Sequence, residues 1–398
     1  MFKQDFPSLR DGKVAYLDSA ASAQKPEVVV SAMDYIMRNG YANIHRGLYG
    51  WSQDMTQAYE NVRAQVAEFI DVENKKEIIF TKNSTESINL VAQSWGRTFM
   101  KAGDEIIISE TEHHANIVPW QLLRDQIGIV IKVIPISDDC KLDISAYTAL
   151  LSEKTKFISI VHISNATGVI NDMNEVIDIA RKYNPEIKIL VDGSQSVVHQ
   201  NISMKDIQCD FFVFTGHKLY GPTGIGVLWG KEDILNAMPP YQGGGDMIET
   251  VTFEKTIYQK TPARFEAGTP AILEVIGLGA AIKYITDIGM DVITRHEAEI
   301  TEYAQEELDK IDGITVLGRN ANKVGIFSFT MDGAHPSDVA MIFDQMGVAV
   351  RTGHHCCMPL MQRLKIDGTI RASIGMYTDK DDIDRLITAL KKAQEMLR

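Results

Sequence analysis

A chain of 398 residues is too long for one small core and has room for two or three domains. Hydrophobic residues at 45% and charged residues at 23% are ordinary for a globular fold, and no apolar run reaches the length of a membrane span. A net charge of −13 argues against a nucleic-acid binder, which needs a basic face, and four cysteines are too few for a disulfide scaffold.

The first segment, Met1-Phe-Lys-Gln-Asp-Phe-Pro7, lacks the apolar core of a signal peptide, so a cytoplasmic protein with reduced thiols is expected. Residues 78–230 then alternate apolar runs with amphipathic stretches. Strands are predicted at Ile78–Phe80, Glu105–Ser109, Val130–Ile136, Phe157–Ile163, Ile187–Val191, Phe211–Thr215 and Gly226–Trp229. Several are solid β-branched runs, the pattern of a sheet covered on both faces. Helices are predicted at Thr85–Met100, Ile117–Gln126, Ile144–Leu151 and Asn174–Tyr183. That order implies an α/β fold with a mostly parallel seven-stranded sheet, binding ligands at the carboxyl ends of its strands. Residues 239–270 are rich in Gly and Pro and read as a long ordered loop. A helix over Ala271–Ile288 leads into a smaller α+β unit with strands at Ile314–Leu317, Val324–Thr330, Val348–Arg351 and Ile370–Ser373. Ile383, Leu386, Ile387, Leu390 and Leu397 mark one face of a last helix. The expected division is an N-terminal segment over 1–24 packing on the small domain, a large domain over 25–289 and a small C-terminal domain over 290–398. The last carries Cys356 and Arg371.

The residues with chemistry follow the predicted strand ends. Lys218 lies between the apolar run Cys209–Thr215 and the glycine-rich run Gly221–Gly226. A lysine there can have a lowered pKa and act as a Schiff-base nucleophile. Ser84 and Thr85 open a helix, where free N–H groups and hydroxyls suit a phosphate; alone they read as an ordinary cap. Asp192 can pair with the ring nitrogen of pyridoxal phosphate (PLP), and Gln195 can donate to its phenolate oxygen. Thr215 and His217 can reach the phosphate, and Asn165 can steady the ring oxygen. His113 or His114 can stack on the ring and move a proton, with the other of the pair structural. Arg371 can clamp a carboxylate bidentately or form a surface salt bridge. Cys356 stands beside two histidines, and imidazolium neighbours raise a thiol's thiolate fraction. Zinc is the competing use of His354, His355, Cys356 and Cys357, but four consecutive residues do not readily converge on one tetrahedral ion. Cys209 reads as core, and Cys140, in a polar turn, as incidental.

Leu17-Asp-Ser-Ala-Ala-Ser22, Val191-Asp-Gly-Ser-Gln195, Thr215–Gly226, Arg264-Phe-Glu-Ala-Gly-Thr269 and Arg351-Thr-Gly-His-His-Cys356 together resemble the group II (Suf-type) cysteine desulfurases. These are related to selenocysteine lyases on the aminotransferase class V branch of fold-type I PLP enzymes. The likeness runs over nearly the whole chain. It implies that Lys218 holds PLP and moves the Cα proton, and that His113 stacks on the ring. Asp192 would pair with the ring nitrogen, Gln195 and Asn165 would flank the phenolate oxygen, and Thr85, Thr215 and His217 would bind the phosphate. Thr269 would reach the phosphate in the neighbouring subunit of a homodimer. Arg371 would bind the carboxylate of L-cysteine, with Arg351 lining the same pocket, and Cys356 would take the persulfide. A SufE- or SufU-like acceptor feeding iron–sulfur cluster assembly is implied as the partner.

Two departures stand out. Ser84 occupies a position where the family often has threonine, and the hydroxyl is kept. Cys357 occupies a position where alanine is common, so a second thiol adjoins the persulfide site and is expected to trap or compete for sulfur. Two other classes stay open from sequence. One is an aminotransferase or β-lyase of the same fold with Cys356 incidental. The other is a non-catalytic sulfur-assembly scaffold that binds through residues 239–270.

Overall fold

Seven apolar segments assemble one sheet in the computed structural model, which describes residues 2–397. In chain order they are β1 (Ile78–Thr81), β2 (Glu105–Ser109), β3 (Val130–Ile134), β4 (Thr155–Val161), β5 (Lys188–Asp192), β6 (Phe211–Thr215) and β7 (Gly226–Gly230). The spatial order is β1-β7-β6-β5-β4-β2-β3, and β7 alone runs antiparallel to its neighbours. Every residue of β1, β2, β6 and β7 is buried, because apolar clusters lie on both faces. Tyr59, Val62 and Val66 join Leu278 and Ile282 on one face, and Trp95, Trp120 and Leu123 fill the other. β3, at the edge, exposes Val130 and Val133 and carries Lys132, a residue type that discourages edge pairing.

A second, antiparallel sheet orders β8 (Ile314–Val316), β9 (Ile326–Met331), β11 (Thr369–Ser373) and β10 (Arg351–Gly353) as β8-β9-β11-β10. The helix Lys380–Leu397 buries Ile383, Leu386, Ile387 and Leu390 against it, the face expected from spacing.

The N-terminal segment joins both parts. Ala15–Tyr16 pairs in parallel with Val348–Ala349, and Asp18 bridges Ser373. Phe6 packs 4.8 Å from Tyr377 and 5.9 Å from Tyr220. Three local features differ from the sequence expectations. Val348–Arg351 is split, its first half pairing with the N-terminal segment and its second opening β10. Residues 239–270 contain a hairpin, Ile248–Val251 with Thr256–Tyr258. Cys140 is fully buried in a left-handed turn (φ 59°), packed in a cluster with Ile136, Leu317 and Leu360, so it is core rather than incidental.

Candidate active site

The carboxyl ends of β1, β2, β4, β5 and β6 surround a cavity of about 480 Å³. Each strand contributes at its end: Ser84 and Thr85 after β1, His113 after β2, Asn165 after β4, Asp192 closing β5, and Thr215 closing β6 with His217 and Lys218 after it. Gln195 follows Asp192 into the same wall. Arg351 and Arg371 on the second sheet, and Cys356 in the loop after β10, close the cavity. Every residue to which the resemblance gives a role therefore lines this cavity, except Thr269, which is exposed and outside it.

Lys218 forms no hydrogen bond or ion pair among the described residues. Burial lowers its pKa most, and Arg371 adds to this while Asp192 opposes it. The peptide before it is pinned, because the His217 carbonyl accepts from the Ala23 N–H (3.0 Å) and from Lys25 Nζ (3.0 Å). Asp192 Oδ1 accepts from both the Ser194 N–H (3.0 Å) and the Ser194 hydroxyl (2.6 Å). No donor among the described residues engages Oδ2. His113 Nδ1 accepts from the Ala115 N–H at 3.0 Å, which leaves the proton on Nε2. Burial, and then the charges of Lys218, His114 and Arg371, push its pKa down to about 3, so the ring is neutral near pH 7. Gln195 Nε2 donates to the Ala20 carbonyl at 2.9 Å.

On the opposite wall, Asp18 accepts from Arg371 Nη2 (3.1 Å) and from Arg351 Nη2 (2.9 Å). Arg371 Nη1 donates to the Asn165 carbonyl at 2.9 Å, while its Nε is buried without a partner. Cys356 is exposed at the cavity rim. Cys357 faces the other way. It is fully buried, its thiol donates to Asn165 Oδ1 at 3.3 Å, and burial pushes its pKa up to about 12. A protonated, enclosed thiol is poorly suited to competing for sulfur. His354 and Cys356 are exposed while His355 and Cys357 are buried, so the four side chains diverge instead of facing one ion.

The aminotransferase class-V family model matches residues 15–386. The chain belongs to the class-V aminotransferase family. Within that family it groups with cysteine desulfurases. A cysteine desulfurase of Enterobacter sp. (strain 638) is 48% identical over 400 aligned residues, covering 99% of this chain and 98% of the relative. One from Salmonella agona (strain SL483) is 46% identical with the same coverage. Among solved structures, the Escherichia coli cysteine desulfurase CsdA, as its S-sulfonic acid, superposes with a TM-score of 0.93 at 36% identity, covering 100% of this chain and 98% of that one. The apo cysteine desulfurase of Thermococcus onnurineus NA1 also gives 0.93, at 37% identity, covering 98% and 96%.

The class-V cofactor is pyridoxal phosphate, and the cavity fits it. An unpaired lysine amine, a carboxylate oxygen without a donor, a neutral imidazole and a hydroxyl-bearing helix start line one space of suitable size. Three residues to which the resemblance gives no role are bonded to the cavity's lining. Asp18 sits in the Leu17–Ser22 motif, but nothing local reveals its arginine partners. Ser194 orients Asp192 and lies 2.8 Å from the Ser84 hydroxyl. His114, read as the structural member of its pair, contacts the Cys356 loop through the Cys356 carbonyl.

Proposed function

We propose that this PLP-dependent cysteine desulfurase converts L-cysteine to L-alanine, holds the removed sulfur as a persulfide on Cys356 and passes it to a protein acceptor. The observation that carries the reading is an exposed thiol and an unpaired lysine amine in the walls of one cavity, with two arginines beside them. Substrate Sγ moves as one sulfur atom from carbon to the Cys356 thiolate, so cysteine plus thiol gives alanine plus persulfide.

Bound pyridoxal phosphate supplies the electron sink that labilises the Cα proton and then the Cβ–Sγ bond. The protein does the rest. Asp192 would hold positive charge at the cofactor's ring nitrogen through its free oxygen. Gln195 and Asn165 would donate to the ring oxygen. Ser84, Thr85, Thr215 and His217 would hold the phosphate, and His113 would meet the ring as a neutral donor. Arg371, with Arg351, binds the substrate carboxylate. Lys218 takes the Cα proton, helped by burial that favours its neutral amine. Cys356 attacks Sγ.

The same reading divides the chain at 1–24, 25–289 and 290–398, so that Lys218 and Cys356 come from different domains. It makes the protein a cytoplasmic homodimer with Thr269 serving the partner's phosphate site. Its acceptor is a SufE- or SufU-like carrier for iron–sulfur cluster assembly, and selenocysteine is a second substrate. The exposure of Cys356 supports transfer to another protein.

Incubation with L-cysteine, followed by amino-acid analysis and persulfide mapping by mass spectrometry, tests the proposal. Alanine is expected, with added sulfur on Cys356. Lys218→Ala should abolish both products, and Cys356→Ala should bind cysteine without turning it over. Pyruvate and free sulfide with unmodified Cys356 would make the protein a lyase and remove that cysteine from the mechanism.

A further inference from the structure

The backbone at the nucleophile is held in an unusual shape. His355 and Cys356 have φ angles of 52° and 57°, the only adjacent pair of left-handed non-glycine residues among those described. L side chains visit this region rarely, and such conformations persist where the surroundings over-determine them. Four bonds do so here. The His355 carbonyl accepts from Asn165 Nδ2 at 2.8 Å, and the Cys356 carbonyl accepts from the His114 N–H at 2.7 Å. The Cys357 N–H donates to the His354 carbonyl at 2.8 Å, and the Met358 N–H donates to His114 Nε2 at 3.0 Å.

His114 therefore grips the loop at two points, one on each side of Cys357. Its backbone holds the carbonyl of the nucleophile, and its ring holds the first amide of the helix Met358–Leu364. It also follows directly after His113, whose ring lines the cofactor cavity. The two histidines form a short rigid link between the cofactor wall and the thiol loop. Asn165 completes it, with its amide oriented by the Cys357 thiol and its carbonyl held by Arg371.

We infer that His114 is a positioning residue for the Cys356 thiol. By holding the Cys356 carbonyl and the Met358 amide, it fixes the left-handed turn that keeps the thiol at the cavity. The inference rests on Cys356 being the sulfur acceptor within the chain. A ring that merely caps the following helix would affect stability but not the thiol.

The test uses the PLP-loaded protein and three variants. His114→Ala and His114→Phe remove the ring acceptor, the second preserving bulk, while His114→Gln places an oxygen close to the position of Nε2. The readouts are the rate of Cys356 alkylation by iodoacetamide, mapped by mass spectrometry, the rate of persulfide formation from L-cysteine, the cofactor absorbance and the melting temperature. Losing one hydrogen bond of ordinary strength changes a loop population about fivefold. Ala and Phe are accordingly expected to speed alkylation and slow persulfide formation by about that factor, with Gln near the parent in both. Cofactor absorbance should not change. Equal alkylation and persulfide rates in all four proteins, with only the melting temperature lowered, would reduce His114 to a helix cap and overturn the inference. So would a Gln variant as impaired as Ala. The alkylation comparison needs no turnover, so it decides the role of His114 even if the parent forms no persulfide. That last result would count against the desulfurase reading alone.

Discussion

At the scale of single residues, the arginine wall turns on Asp18. One carboxylate faces two guanidiniums, which leaves a net positive charge, the sign that the proposed binding of a substrate carboxylate requires. Asp18 also fixes the direction of both forks, and Arg371 keeps a buried Nε without a partner. Asp18→Asn should let both arginines wander. Charge-assisted bonds are worth about 1.5–3 kcal/mol, so KM for L-cysteine should rise about tenfold or more, with a smaller change in kcat. Steady-state kinetics with unchanged cofactor absorbance would check this, and an unaltered KM would remove Asp18 from the site. Lys218, Asp192 and Cys356 were legible in the sequence because each stands at a strand end or in a distinctive short run. Asp18 was not, because its partners lie more than 300 residues away in the chain. The enclosure of Cys357, which weighs against its competing for sulfur, was hidden from sequence for a related reason. Adjacent side chains point apart, and which of two neighbours is enclosed depends on Asn165 and on Cys140's cluster.

At the scale of elements, the cofactor wall depends on how closely β7 approaches the turn after β1. A Cβ built on Gly226 would lie 2.5 Å from the backbone Cα and C of Asn83. Asn83 caps the helix opened by Ser84, accepting from the Glu86 N–H at 2.9 Å. Gly226→Ala must therefore push the Ser84–Thr85 turn away from β7. Overpacking of this kind costs about 1–3 kcal/mol, so PLP affinity should fall by about tenfold with a lowered melting temperature. An absorbance titration of PLP into the apo protein, beside a thermal melt, measures both, and parental affinity would show that the turn is free to shift. The strands were legible because burial on both faces leaves continuous β-branched runs. The helix Glu27–Asn39 was less so: it fully buries only Val29 and exposes Val28, Val30, Tyr35 and Met37, which blurs its periodicity. Gly50–Phe69 carries an apolar face in Met55, Tyr59, Val62 and Val66 that the sequence reading passed over. The 248–258 hairpin turns through Thr252-Phe-Glu-Lys255, which lacks the Asn-Gly type of signal, so it read as loop.

At the scale of the whole molecule, the question is what a second copy contributes. Leu48 (94% exposed), Tyr49, Trp51 and the fully exposed Phe253 present apolar side chains to solvent, as surfaces that meet partners do. Thr269 is exposed too, and the chain leading to it is anchored. Three residues earlier, Glu266 is held by Arg63 Nη1 (2.7 Å) and Nη2 (2.9 Å) and by the Phe80 N–H (2.8 Å). A hydroxyl that lies outside its own cavity is suited to completing another one. If Thr269 acts on the partner's phosphate, the variants Lys218→Ala and Thr269→Ala should complement each other when mixed as a purified heterodimer. The protomer that keeps Lys218 receives an intact Thr269 from its partner, while the other site lacks its lysine. One of two equivalent sites survives, so desulfuration should be about half that of the parent dimer. If Thr269 instead serves its own chain, the surviving lysine sits in a site without the hydroxyl, and the heterodimer should be no more active per lysine than the Thr269→Ala homodimer. The comparison of those two specific activities decides between them.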